Sequence, residues 1–174
     1  MKALILTLGL SLVAALLPPA SSEQSLDLSG TWYLKAIVMD RDIPELKVEA
    51  AAPLIFEPLD GYRKINAKYT ILVQGQCHTL KTVLKKVPGP GEYVSTKYKS
   101  LLRFKPLPVK DHYVVYCDSE VQGQVVHEAK LIGRDKSKSQ ESLAAFKNEV
   151  SANGSNPENI IFPRQIAACP EDEQ

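Results

Sequence analysis

Apolar and polar side chains alternate in short stretches, and Gly, Pro and Asp cut these stretches at intervals of about ten residues. Successive side chains of a strand point to opposite faces, so each stretch can bury one face only by joining a sheet. Many short stretches joined by tight turns read as an antiparallel sheet or barrel. In residues 32–38, Trp32, Leu34, Ala36 and Val38 share one face, with Tyr33, Lys35 and Ile37 on the other. In residues 67–73, Ala67, Tyr69, Ile71 and Val73 oppose Lys68, Thr70 and Leu72. Further strands are expected at 52–57, 78–85, 92–98, 100–104, 112–118 and 124–131, giving eight in all. Asp60-Gly61, Pro88-Gly89-Pro90-Gly91, residues 106–108 and Gln122-Gly123 supply turns between them.

One helix is expected, at 139–151, where Leu143, Phe146, Lys147 and Val150 follow the i, i+3, i+4, i+7 spacing of an amphipathic stripe. Asn153-Gly154 stops it. With one apolar side, this helix should pack on the outside of the sheet.

The N-terminus carries a different signal. Lys2 precedes an apolar run at 3–17 that is too short to span a bilayer, and Pro18, Pro19, Ala20, Ser21 and Ser22 follow at once. This is the pattern of a secretory signal peptide at 1–22. Cleavage after Ser22 fits the small-x-small rule, with a cut after Ala20 as the alternative. Residues 23–174 then form a single secreted, extracellular domain without a membrane span. With 21 basic and 20 acidic residues and a net charge of +1, the chain has no charge asymmetry to attract nucleic acid.

An oxidising compartment favours pairing two of the cysteines Cys77, Cys117 and Cys169. Cys117 ends the apolar run at 113–117, where a thiol is shielded, while Cys77 follows a turn and Cys169 sits in the C-terminal tail. The expected bridge is therefore Cys77 to Cys169. Asn153-Gly154-Ser155 is a candidate glycosylation sequon beyond the helix.

Three short motifs carry a family resemblance. Gly30-Thr31-Trp32 opens the first strand, Asp111-His112-Tyr113 opens the strand after Pro108, and Gly133-Arg134-Asp135 ends the last strand before the helix. In this order and spacing they resemble the lipocalins, over the whole mature chain. Within that family the chain most resembles the tear lipocalin, von Ebner's gland and dog salivary allergen group. The resemblance extends through Gly30-Thr31-Trp32-Tyr33-Leu34-Lys35-Ala36, Lys110-Asp111-His112-Tyr113, Tyr116-Cys117, and the stretch from Ala129 to Asp135. It implies an all-β, eight-stranded up-and-down barrel with the helix outside, and the same Cys77–Cys169 pairing. It also implies that Trp32 plugs the closed end with Arg134 across its indole, a cation–π contact worth about 0.5–2 kcal/mol. Gly30 is expected to allow the entry into the first strand, Asp111 to cap a turn, and Tyr113 to belong to the same motif set.

Function must then reside in the lumen, which in an eight-stranded barrel is filled by side chains or holds one small ligand. Alternation and resemblance together put Leu34, Ala36, Val38, Tyr69, Ile71, Leu102, Phe104, Tyr113, Val115 and Cys117 on its wall. The resemblance implies a carrier or scavenger of fatty acids, retinoid-like molecules, odorants or pheromones, with no cofactor. Lys130 matches a pocket lysine of the tear lipocalins and is the candidate partner for a ligand carboxylate. Two other arrangements stay open: Lys130 reaching out to solvent at the mouth, or Glu128, two residues away on the same face, pairing with it. His78, His112 and His127 lack metal-ligand spacing, and no nucleophile elbow or P-loop appears, so the chain is not expected to be an enzyme. The alternative reading is cysteine-dependent reduction of lipid peroxides through Cys117, or protease inhibition by the same barrel. Dimerisation and a cell-surface receptor stay open as partners. The conformation of the segment at 40–52, which in the family closes the mouth, is not fixed by its residues.

Overall fold

Strand β1 (Gly30–Met39) is followed by a single 3₁₀ turn at Pro44–Leu46, β2 (Val48–Ala51), β3 (Leu54–Leu59), β4 (Lys64–Val73) and β5 (Gln76–Lys86). Then come β6 (Glu92–Ser95), β7 (Ser100–Pro106), β8 (His112–Val121), β9 (Gln124–Gly133), helix α1 (Gln140–Ala152) and the two-residue β10 (Arg164–Gln165). These elements come from a computed structural model that describes residues 26–169. The leader expected at 1–22 and its cleavage site lie outside the described residues.

The strands β1, β3, β4, β5, β6, β7, β8 and β9 pair antiparallel in a ring that the β4–β5 and β1–β9 ladders complete. This is a closed eight-stranded barrel. Closure removes the exposed sheet edge that an open sheet would offer to other chains. β2 and β3 share one side of β4: β2 pairs with its end near Val73, β3 with its beginning near Lys64. Pro53 lies in the break between them, and an imide without N–H cannot continue a ladder. The strand expected at 52–57 is β3, beginning two residues later, and β2 is a further strand ahead of it, in the segment at 40–52, that takes up Ala50-Ala51.

The two faces of the barrel wall serve different cores. The inner cluster runs from Trp32 and Leu28 through Phe56, Ile65, Leu84, Tyr93, Phe104, Val115 and Ile132. The outer cluster packs Phe146 and Val150 of α1 against Ala36, Val38, Val114, Ala129 and Leu131. Ser139 caps the helix by accepting from Ser142 N at 3.0 Å.

Between Leu34 and Ala36 the β1–β9 register slips by one residue. A bulge of this kind moves every later side chain to the opposite face. The expectation that Ala36 and Val38 face the lumen is therefore corrected: both lie on the outer face under α1, and Ile37 and Met39 turn toward the inner core instead. Lys35, the extra residue, is buried.

The C-terminal segment fills the gap that opens between β1 and β2. Ile37 and Ile161 exchange backbone hydrogen bonds at 3.0 and 2.8 Å, β10 runs parallel to β2, and the Gln165 side chain donates to Leu34 O at the bulge. Cys77 at the start of β5 is joined to Cys169, with Cα atoms 6.0 Å apart.

Candidate functional site: the barrel lumen

The barrel is sealed at one end by Trp32. Its side chain is 1% exposed, and its Nε1 donates to Leu28 O at 3.0 Å. The Arg134 guanidinium lies 3.9 Å from the centre of the indole, while its Nη1 donates to Ser29 O and its Nη2 to Asp27 O at 3.2 Å. Tyr113 meets the same indole edge-on, with ring centres 5.3 Å apart. Gly30 has φ +86° and a Cβ there would stand 3.3 Å from Arg134 Nη1, so the position needs a residue free to enter left-handed backbone. Asp111 also adopts left-handed backbone, φ 59°, and its carbonyl accepts from Arg134 N at 3.1 Å. The three motifs thus meet at one place, the closed end.

Above this plug lies a cavity of about 440 Å³. That volume falls in the range that holds a small organic ligand. Of the residues expected on its wall, Tyr69, Ile71, Leu102, Phe104, Val115, Cys117 and Lys130 line it. Leu34 lies in the inner core below the cavity, and Tyr113 belongs to the plug. Ala36 and Val38 face outward for the reason given above.

Other wall residues went unassigned in the sequence. Phe56 and Leu84 follow the alternation of β3 and β5 and were within reach of that signal. Leu46 and Val48 were not, because they come from the segment at 40–52, which folds over the mouth as the 3₁₀ turn and β2. Two pairs of lumen hydroxyls satisfy one another: Thr82 Oγ1 is 2.7 Å from Ser95 Oγ, and Ser100 Oγ is 2.8 Å from Ser119 Oγ.

Charge inside the lumen is concentrated in one pair. Lys130 Nζ stands 2.8 Å from Glu128 Oε2, and the two side chains are 17% and 16% exposed. Among the three arrangements open from the sequence, the structure shows the internal pair. Burial pulls the Lys130 ammonium down, and the Glu128 carboxylate more than offsets this, leaving it above the ordinary lysine value. Lys130 Nζ also sits 5.4 Å from the centre of the Tyr69 ring on the opposite wall. Desolvation pushes the Tyr69 phenol up to about 12, so it is a neutral donor at physiological pH.

The remaining candidates, apart from Cys117 on the lumen wall, lie elsewhere. Cys117 is a buried free thiol with Sγ 3.3 Å from Ser119 Oγ. His112 contacts Lys35, His127 contacts Asp118, and His78 lies on β5 at register with Ile71, so the three histidines do not converge. Asn153 is exposed at the end of α1, where its Nδ2 donates to Tyr116 Oη and Glu149 O, both at 2.9 Å.

A closed eight-stranded barrel with a plugged base, an outer helix and an apolar lumen defines a small-ligand calyx. The chain belongs to the lipocalin / cytosolic fatty-acid binding protein family, whose model matches residues 29–167. It is 41% identical to von Ebner gland protein 1 of Rattus norvegicus, with 98% of each chain covered. It is 42% identical to lipocalin-1 of Sus scrofa, with 97% of each covered. Among solved structures it resembles the siderocalin Ex-FABP, with a TM-score of 0.71, 19% identity, and coverage of 83% of this chain and 98% of that one.

Proposed function

We propose that this protein is a secreted carrier that takes up one small hydrophobic molecule in the barrel and holds it away from water. The observation that carries this reading is the apolar cavity of about 440 Å³ above a sealed base. Its wall is dominated by Leu, Ile, Val and Phe side chains, and each methylene transferred there from water contributes about 0.8 kcal/mol. Fatty acids, retinoid-like molecules, odorants and pheromones fall within this description. The apolar leader pattern at 1–22 and the Cys77–Cys169 bridge support secretion. Cys117 is buried and its hydrogen-bond contact is the Ser119 hydroxyl, which supports the carrier over peroxide reduction by this thiol.

Titration with the neutral fluorophore N-phenyl-1-naphthylamine tests the reading. Saturable binding is expected at a micromolar dissociation constant, with a blue-shifted emission that long-chain apolar compounds reverse. A signal that neither saturates nor yields to any apolar competitor overturns the carrier reading.

A further inference from the structure

The wall of the lumen carries one polar atom that nothing satisfies. Among the described residues, the Tyr69 hydroxyl is the buried side-chain oxygen or nitrogen without a hydrogen-bond partner. Leaving such a group unmet forfeits the hydrogen bond that water would give it, so a ligand that meets it gains both the bond and the relief of that cost. The serine and threonine hydroxyls of the wall are already taken, Thr82 by Ser95 and Ser100 by Ser119. The one cation of the inner wall is also taken, by Glu128 at 2.8 Å. The third charged residue on the wall, Glu120, stands exposed at the rim and is held by Lys99 at 3.2 Å.

We propose that the lumen selects uncharged apolar ligands bearing one carbonyl, such as a ketone, aldehyde or ester, which accepts from the Tyr69 hydroxyl, and that Glu128 makes Lys130 a poor anchor for carboxylates. The proposal rests on the carrier reading and names its ligand class. A carboxylate entering beside Lys130 meets Glu128 in a water-poor space. It must either displace Glu128, leaving that charge buried and unpaired, or stand next to a like charge. A neutral carbonyl meets neither obstacle. The Lys130 ammonium, 5.4 Å from the Tyr69 ring centre, adds to the positive potential at which the carbonyl oxygen would rest. Tyr69 and Lys130 are contributed by β4 and β9, and both side chains line the lumen, so a ligand held there lies against the two together.

The test displaces N-phenyl-1-naphthylamine with three ligands of similar length: methyl decyl ketone, dodecanoate and dodecane. The intact protein is expected to bind the ketone about tenfold more tightly than dodecanoate. Tyr69→Phe should weaken the ketone about three- to tenfold, the loss of one hydrogen bond, and leave dodecane unchanged. Glu128→Gln should tighten dodecanoate relative to the ketone by about tenfold or more. Dodecanoate binding as tightly as the ketone overturns the proposal, as do equal losses for ketone and dodecane in Tyr69→Phe. In both cases displacement still occurs, so the carrier reading stands. Failure of the probe itself to bind overturns that reading and this one with it.

Discussion

Lys35 is 1% exposed, a burial that a lysine accepts only with partners. The β1 bulge places it against the outer wall, where its ammonium reaches Asp135 Oδ1 at 2.9 Å and His112 Nε2 at 2.8 Å. His112 Nδ1 lies 2.8 Å from Lys110 O, so Nδ1 carries the proton and Nε2 accepts from Lys35. A Cβ at Gly133 would come within 2.7 Å of that Nε2, which explains why the motif residue here is glycine. The Asp135 carboxyl is lowered to about 2, first by the Ser137 hydroxyl and then by Lys35. A carboxyl depressed on folding stabilises the fold above its unfolded value of 3.8, and that contribution is lost as pH falls from about 4 toward 2. Asp135 is 57% exposed, so solvent screening makes the contribution small. Thermal unfolding of the intact protein and Asp135→Asn should differ above about pH 4, with the gap closing toward pH 2. An offset constant across that window would remove Asp135 from the acid response.

At the scale of elements, β1 and α1 decide which side chains the lumen receives. Residues 36–39 of β1 read Ala-Ile-Val-Met, apolar on both faces, because beyond the bulge the inner face meets the core and the outer face meets the helix. A strand buried on both sides has no visible phase. Alternation read from Trp32 onward therefore ran past the slip and put Ala36 and Val38 on the wrong wall. In β4 one face is solvated at Lys64 and Lys68, and there the phase of Ala67, Tyr69, Ile71 and Val73 was legible and points into the cavity. The helix was legible from its stripe: Phe146 and Val150 are fully buried, although Lys147, expected on the same stripe, is exposed. Because Phe146 belongs to the outer cluster, Phe146→Ala should cost about 3–5 kcal/mol in urea unfolding. Ligand affinity of the folded fraction should stay unchanged. A selective loss of ligand binding at full stability would show that the two cores are not separate.

The whole molecule is tied together by its C-terminal segment. The segment beyond the helix bridges Ile37, lays β10 beside β2, supplies Gln165 to the bulge carbonyl and is joined through Cys169 to Cys77 of β5. The bridge spans 92 residues of sequence, and in the chain-entropy view such a crosslink stabilises by about 4.6 kcal/mol. Replacing both Cys77 and Cys169 by serine should lower stability by about 2–5 kcal/mol, measured by denaturant unfolding. Amide exchange should accelerate first at Ile161 and Ile166, whose N–H groups bond Ile37 and Ala51. Uniform acceleration across the barrel would mean that the bridge acts on the unfolded chain alone.

Local pattern was enough to specify the strands, their turns, the amphipathic helix and the three motifs that meet at Trp32, because each is written in side chains a few residues apart. The pairing of Cys77 with Cys169 was also legible, from the apolar setting of Cys117. The bulge at Lys35, the division of β2 from β3, the seat of β10 and the Glu128–Lys130–Tyr69 grouping emerged only in the folded barrel. Each depends on contacts between segments distant in the chain: β1 with β9, β2 with the C-terminal segment, β4 with β9. Period and composition describe one segment at a time. Which wall faces which, and what a buried hydroxyl finds across the lumen, is set only when the ring closes.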